Sequence, residues 1–248
     1  MKKTVSGYAK RIPALLVCLA LLLGGCAPRQ QETPKAQGKA YFSYFDTVSY
    51  VYSYAGDSAE TFEARSADAS AVLSEYHQLF DIYHEYAGVT NLCTINKQAG
   101  GEPVEVDQKL IDFLLYARNM YDKTQGEMNV MLGAVLRLWH DCRSQAETDP
   151  ASAHLPDADA LAKAAEHTSM DSLEIDPEKR TVRISDPKAS IDVGALGKGY
   201  ATEMAARALE KAGANSYVLN IGGNIRIIGA KPDGSGWVTV SYTHLTLP

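Results

Sequence analysis

Residues 191–200 read Ile191-Asp192-Val193-Gly194-Ala195-Leu196-Gly197-Lys198-Gly199-Tyr200: an acid closing an apolar run, a glycine-rich turn, then the start of a helical pattern. An acid, a bare backbone and a helix N-terminus in that order can receive a phosphate or a ribose hydroxyl, because unpaired N–H groups and the helix dipole favour an anion. It is not a Walker A loop: the glycine spacing is too short, and Tyr200 stands where a Ser or Thr metal ligand belongs. It is not a dinucleotide fingerprint either, since Thr202 occupies the place of the third glycine. The residues alone leave a phosphate-binding turn and a plain tight turn equally open.

Working outward, the pattern predicts a strand over 190–193 and a helix over 198–212 that turns Met204, Ala208 and Leu209 inward and stops at Gly213. Strands over 216–221 and 225–228 flank Gly222-Gly223-Asn224, a hairpin signal whose neighbouring Asn220 and Asn224 amides could also hold a ligand. Trp237 opens a further strand. Upstream lie short strands over 173–175 and 181–185, joined by the turn signal Asp176-Pro177.

An Ala-rich helix starts at Leu155-Pro156-Asp157 and runs to about 167, after a polar surface loop over 143–156. Val130, Leu132, Val135, Leu136 and Trp139 suggest one or two helical turns. Asp107 caps a helix with Leu110, Leu114, Ala117, Arg118 and Tyr121 on one face, ending at Gly126. Before it come a short edge strand over 103–106 and a loop containing Gly88, Asn91, Asn96 and Gly100-Gly101. A long amphipathic helix fills 58–83, opened by a capping box of Asp57 and Glu60. Residues 41–54 (YFSYFDTVSYVYSY) have the aromatic and β-branched composition of a strand pair or one bent strand. Helices first and hairpins with one helix later give an α+β class with a mixed or antiparallel sheet.

The 248 residues are 46% hydrophobic and 22% charged, which excludes a disordered chain and a multispan membrane protein. The net charge of −6 argues against gripping nucleic acid through phosphates. Lys2, Lys3, Lys10 and Arg11 precede an apolar run over 12–23 that is too short to span a bilayer but suits a secretory signal over 1–25. Leu23-Gly24-Gly25-Cys26 resembles a bacterial lipobox, with Cys26 as the lipidated residue. Acyl chains there would hold the protein on the extracytoplasmic face of the cell membrane. Residues 26–39 read as a flexible tether and 40–240 as the folded domain.

Cys93 and Cys142 remain in the exported part, more consistent with free buried thiols than with a disulfide. No His/Cys spacing suits structural zinc. His77, His84, His140, His154, His167 and His244 are scattered, and a lone histidine is more often solvated or core-satisfied than catalytic.

Residues 192–200 (DVGALGKGY), followed two dozen residues later by Gly222-Gly223-Asn224, resemble the ApbE family of FAD:protein FMN transferases. Phe45-Asp46-Thr47 is similar to the family's opening strand motif, residues 79–96 (LFDIYHEYAGVTNLCTIN) to its aromatic helix end with the following Asn, and residues 126–139 (GEMNVMLGAVLRLW) to its cofactor-wrapping segment. The resemblance covers about residues 41–240 and implies FAD as substrate, Mg2+, and transfer of FMN to a Thr or Ser of a partner flavoprotein with release of AMP. It implies cofactor contacts at Phe45, Tyr83, Glu127, Met128, Asn129, Asp192 and Lys198, and a backbone carbonyl from Ala195 to magnesium. Lys198 is often Glu in relatives. Tyr83 and Met128 would be flat or soft partners for rings. The implied acceptor is an FMN-binding redox-pump subunit.

Family members continue beyond the Trp237 strand through a histidine-containing segment and an Asp/Thr-rich segment that supplies the other magnesium ligands. Here residues 241–248 (SYTHLTLP) do not resemble the family and read as adapter sequence joined to a cut-off gene. The expectation is therefore a C-terminally truncated chain with catalytic residues missing, weak magnesium binding, impaired transfer and an uncovered sheet edge. Two other readings use the same residues: a lipoprotein that binds FAD without transfer, and a pyrophosphatase that releases FMN and AMP.

Overall fold

The computed structural model describes residues 35–239; the leader, Cys26, the first part of the tether and the 241–248 tail lie outside the described residues. In chain order the elements are β1 (Gln37–Tyr44), β2 (Thr47–Ser53), α1 (Ala59–Phe80), α2 (Leu92–Lys97), β3 (Val104–Glu105), α3 (Gln108–Lys123), α4 (Gly133–Thr148), α5 (Ala158–Ala165), β4 (Leu173–Asp176), β5 (Thr181–Ile184), α6 (Gly197–Lys211), β6 (Tyr217–Ile221) and β7 (Asn224–Ile228). No helix among the described residues is long and apolar enough to cross a membrane.

Two sheets organise the chain, one ordered β1-β2-β6-β7 and one ordered β3-β5-β4, and every strand pair is antiparallel. The central strands of the larger sheet alternate: Ser49, Val51 and Ser53 of β2 and Tyr217, Leu219 and Ile221 of β6 are buried. Tyr50 and Tyr52 stack on the opposite face, 5.7 Å apart. The buried face meets α1 and α6, which contribute Leu73, Tyr76 and Leu79 and Ala201, Ala205 and Leu209 to one continuous core. Each fully buried leucine there stabilises the fold by about 1.5–3 kcal/mol.

The α+β class is the observed one, and several local expectations are corrected. β1 starts at Gln37, so residues 37–39 of the expected tether are strand. Asp57 does not cap α1; Ser58 does, accepting from the Thr61 N–H, while Asp57 turns inward. The loop containing Asn91 and Asn96 holds α2, and Asn91 caps it. The polar stretch from 143 is helix as far as Thr148, because α4 runs four turns rather than one or two. Its charged residues occupy a solvated face, which low apolar content disguised as loop.

No strand forms at 190–193. Its place is taken by an extended segment with one isolated parallel bridge, Leu132 to Ser190. Of the residues expected to face inward on α6, Leu209 is buried, Met204 packs only partly, and Ala205 and Ala206 fill the interior instead of Ala208. Among the described residues no strand starts at Trp237, whose indole N–H donates to the Gly229 carbonyl at 2.9 Å. Cys93 and Cys142 are unpaired, Cys93 buried but Cys142 only half-buried.

The Gly222-Gly223 pair is a two-residue hairpin turn with φ of +54° and +90°. A Cβ on Gly222 would lie 2.5 Å from Thr47 Oγ1, in the neighbouring hairpin. We expect Gly222→Ala to lower the unfolding free energy by about 1–3 kcal/mol in urea titration, because strain and overlap add.

Candidate functional site

The site is built where three segments come together. Asp81 terminates α1, and its carboxylate accepts from the Tyr83 and His84 N–H groups at 2.7 and 2.9 Å and from the Tyr86 hydroxyl at 2.8 Å. Burial pushes this carboxyl upward, but those donors outweigh it and hold it below the ordinary range. Tyr86 is pushed up to about 12 by burial and by Asp81, so it stays a donor. The turn so fixed ends α1 three residues earlier than the sequence suggests and leaves Tyr83 beyond the helix, 53% exposed.

A second segment is the turn between β1 and β2. Phe45 and Asp46 both have positive φ, 56° and 49°, where non-glycine residues cost about 1 kcal/mol or more each. The Phe45 N–H donates to His77 Nδ1 at 3.2 Å, and the two rings meet edge to face at 5.5 Å.

The third segment is residues 190–196. Asn96 grips Ile191 with both ends of its amide, donating to the carbonyl at 2.9 Å and accepting from the N–H at 2.7 Å. From the other side the Asp192 N–H donates to the Val130 carbonyl and the Gly133 N–H to the Ser190 carbonyl. A Cβ on Gly133 would lie 2.5 Å from that carbonyl oxygen, so only glycine allows α4 to start there. Asp192 Oδ1 then accepts from the Gly194 N–H at 2.8 Å, turning the chain toward α6. Gly197 lets α6 start against Phe80, since a Cβ would sit 3.0 Å from that ring.

The result is a cavity of about 380 Å³ lined by Phe45, Asp46, His77, Phe80, Tyr83, Asp192, Gly194, Gly197 and Lys198, among others. A second cavity of about 570 Å³ shares Ile82, Tyr83, His140 and Asp192 with it and carries Lys97, Arg137, Lys163 and Lys188. The first is rich in aromatic groups and opens on a helix N-terminus; the second is cationic. Together they suit an elongated ligand with a flat ring at one end and negative charge.

The structure therefore brings Phe45, Tyr83, Asp192 and Lys198 together. Glu127, Met128 and Asn129 do not line either cavity. Asn129 is tied to the Thr168 carbonyl and the Met131 N–H, Met128 packs on the core, and Glu127 is exposed. His77, His84 and His140 line the first cavity, a role that their scattered positions in sequence hid. The one available signal was that His77, Phe80 and His84 recur at helical spacing, which marks a shared face but not what it faces.

Ala195 is exposed, and no backbone N–H among the described residues donates to its carbonyl. One carbonyl is a single oxygen donor, magnesium takes most of its six oxygens from water and substrate phosphates, and no group of three metal-ligating side chains occurs among the described residues. The described donor set does not fit a resident magnesium ion.

This antiparallel α+β fold is that of the flavin transferases. The chain superposes on flavin transferase ApbE from Vibrio cholerae with a TM-score of 0.66 at 19% identity, covering 82% of this chain and 63% of that one. It belongs to the ApbE family, whose model matches residues 46–241. It is similar to the FAD:protein FMN transferases of Haemophilus influenzae, 26% identical over 245 residues, and Treponema pallidum, 24% identical over 222. These alignments cover 96% and 88% of this chain but only 64% and 58% of the relatives.

Proposed function

We propose that this chain acts as a FAD:protein FMN transferase, lipid-anchored through Cys26 on the outer face of a membrane. The observation that carries the reading is the convergence of Phe45, Tyr83 and the stretch holding Asp192 and Lys198, three separate parts of the chain, on one cleft at the N-terminus of α6. Phe45 and Tyr83 would flank flat rings of FAD, while Asp192 would accept from a ribose or adenine group. Lys198 and the unpaired N–H groups of the first turn of α6 would face the pyrophosphate. Glu127, Met128 and Asn129 line neither cavity and are given no contact with the ligand, and magnesium would arrive with the FAD pyrophosphate, the chain itself offering the Ala195 carbonyl.

In the reaction, the hydroxyl oxygen of an acceptor Thr or Ser forms a bond to the FMN phosphorus. The bond to the bridging pyrophosphate oxygen breaks, AMP leaves with the electron pair, and the hydroxyl proton passes to a base. The chain's contribution is positioning and fixed positive charge at the phosphates. The acceptor would be an FMN-binding subunit of a redox pump.

The test is incubation with FAD, Mg2+ and a flavin-acceptor domain, followed by in-gel fluorescence after denaturation. A fluorescent acceptor band that EDTA abolishes supports transfer; bound FAD without a band moves the function to FAD binding or hydrolysis. Asp192→Ala is expected to weaken FAD binding about tenfold or more, since a hydrogen bond to a charged group is lost. Unchanged affinity in a fluorescence titration would remove Asp192 from the site.

A further inference from the structure

The β1–β2 hairpin closes with a two-residue loop, Tyr44 pairing with Thr47 across Phe45 and Asp46. With φ of 56° and 49°, both loop residues are left-handed, a pattern ordinarily filled by asparagine or aspartate and glycine. Phenylalanine has no local reason to stand there: it lacks glycine's freedom and the short polar side chain that lets asparagine or aspartate tolerate this region. Something beyond the loop must hold it. The Phe45 N–H donates to His77 Nδ1 of α1, 32 residues further along the chain, at 3.2 Å. An amide N–H only donates, so Nδ1 carries its lone pair and the proton of the neutral ring is on Nε2. The His77 ring also meets Phe45 edge to face at 5.5 Å and lies 6.3 and 6.4 Å from the Tyr44 and Tyr86 rings. Phe45 and His77 both line the aromatic cavity.

We propose that His77 is a positioning residue: its Nδ1 latches the strained Phe45-Asp46 loop, and so keeps the Phe45 ring where it can pack against a flat ring of FAD. The inference rests on the FAD reading given above. Strain of this kind persists only where the surroundings over-determine it, and it collects at ligand sites. One hydrogen bond and the strain it opposes are of similar size, so without the latch the loop divides its time among other conformations. Ligand affinity then falls in proportion to the share of molecules with Phe45 in place. Asparagine or glycine at position 45 would make the better turn but bring no ring to the cavity.

The experiment measures FAD affinity of the full chain by flavin fluorescence, and hydrogen exchange of the Phe45 amide by NMR, for His77→Phe, His77→Asn, Phe45→Asn and the double variant of Phe45→Asn with His77→Phe. His77→Phe keeps an aromatic ring among Tyr44, Phe45 and Tyr86 but offers no acceptor. It should weaken FAD binding about fivefold and speed exchange of the Phe45 amide by about as much. His77→Asn, whose Oδ1 stands close to the place of Nδ1, should restore most of both. A role in packing alone predicts the reverse order, because asparagine fills the space less well than phenylalanine. Phe45→Asn should weaken binding about tenfold, the loss of one ring-on-ring contact. His77→Phe should add nothing to that loss, because its effect passes through Phe45. Additive losses in the double variant, wild-type affinity in Phe45→Asn or His77→Phe, or no rescue by His77→Asn would overturn the proposal while leaving the FAD reading standing. No FAD binding by the wild-type chain would overturn both.

Discussion

Asp57→Ala is expected to lower the unfolding free energy by about 3–5 kcal/mol, because it leaves a partner charge and a phenol without their acceptor in a largely buried site. The Asp57 side chain is only 11% exposed and binds Arg65 at 2.9 Å, Ser53 at 2.8 Å and the Tyr217 hydroxyl. Arg65 in turn donates to the Ala212 and Gly213 carbonyls just after α6. One carboxylate thus ties the start of α1 to β2, to β6 and, through Arg65, to the end of α6. The midpoint of thermal unfolding should fall by roughly 6–20 °C for a domain of this size.

The same residue sets a pH dependence. Burial raises the Asp57 carboxyl, but donation from Tyr217 and Ser53 and the charge of Arg65 outweigh it, so its folded value lies below the ordinary one. A depressed folded value means stability that is complete above the unfolded value, about pH 4, and is lost as the pH falls through the folded value. Wild-type protein should therefore lose stability with acid more steeply below about pH 4 than Asp57→Asn, which has no carboxyl to titrate there. Equal slopes in urea unfolding at pH 3–5 would refute the assignment.

Asn96→Ala is the second large effect, about 2–5 kcal/mol. Ile191 is fully buried, and both of its backbone groups pair only with the Asn96 amide, so the substitution orphans a donor and an acceptor at once. Asn96→Asp keeps the acceptor but cannot donate to the Ile191 carbonyl, and it too should destabilise. Because Asp192 follows directly, FAD affinity should fall together with stability for Asn96→Ala, whereas Asp57→Ala at the far end of α1 should leave the affinity of the folded fraction unchanged. Urea unfolding and flavin titration on the two variants separate these outcomes.

The sequence alone determined the class and most of the elements. Alternation in β2 and β6, the helical spacing in α1, α3 and α6, and the Gly222-Gly223 hairpin are local signals, because periodicity and positive φ are properties of a few consecutive residues. The family motifs hold Phe45, Tyr83, Asp192 and Lys198, which the fold brings to one cavity, and also Glu127, Met128 and Asn129, which it does not.

Only tertiary structure decided the rest. The segment before Asp192 has a strand's composition, yet its partners are an asparagine side chain and a helix start instead of a neighbouring strand. Asp57 sits where a cap is expected, but a half-buried arginine and a buried tyrosine outcompete the helix end for its carboxylate. His140 has no sequence pattern at all; what gives it meaning is a phenol 57 residues earlier and a guanidinium one helical turn later. Pairings across that distance depend on how the chain closes its core, which no local window of sequence contains.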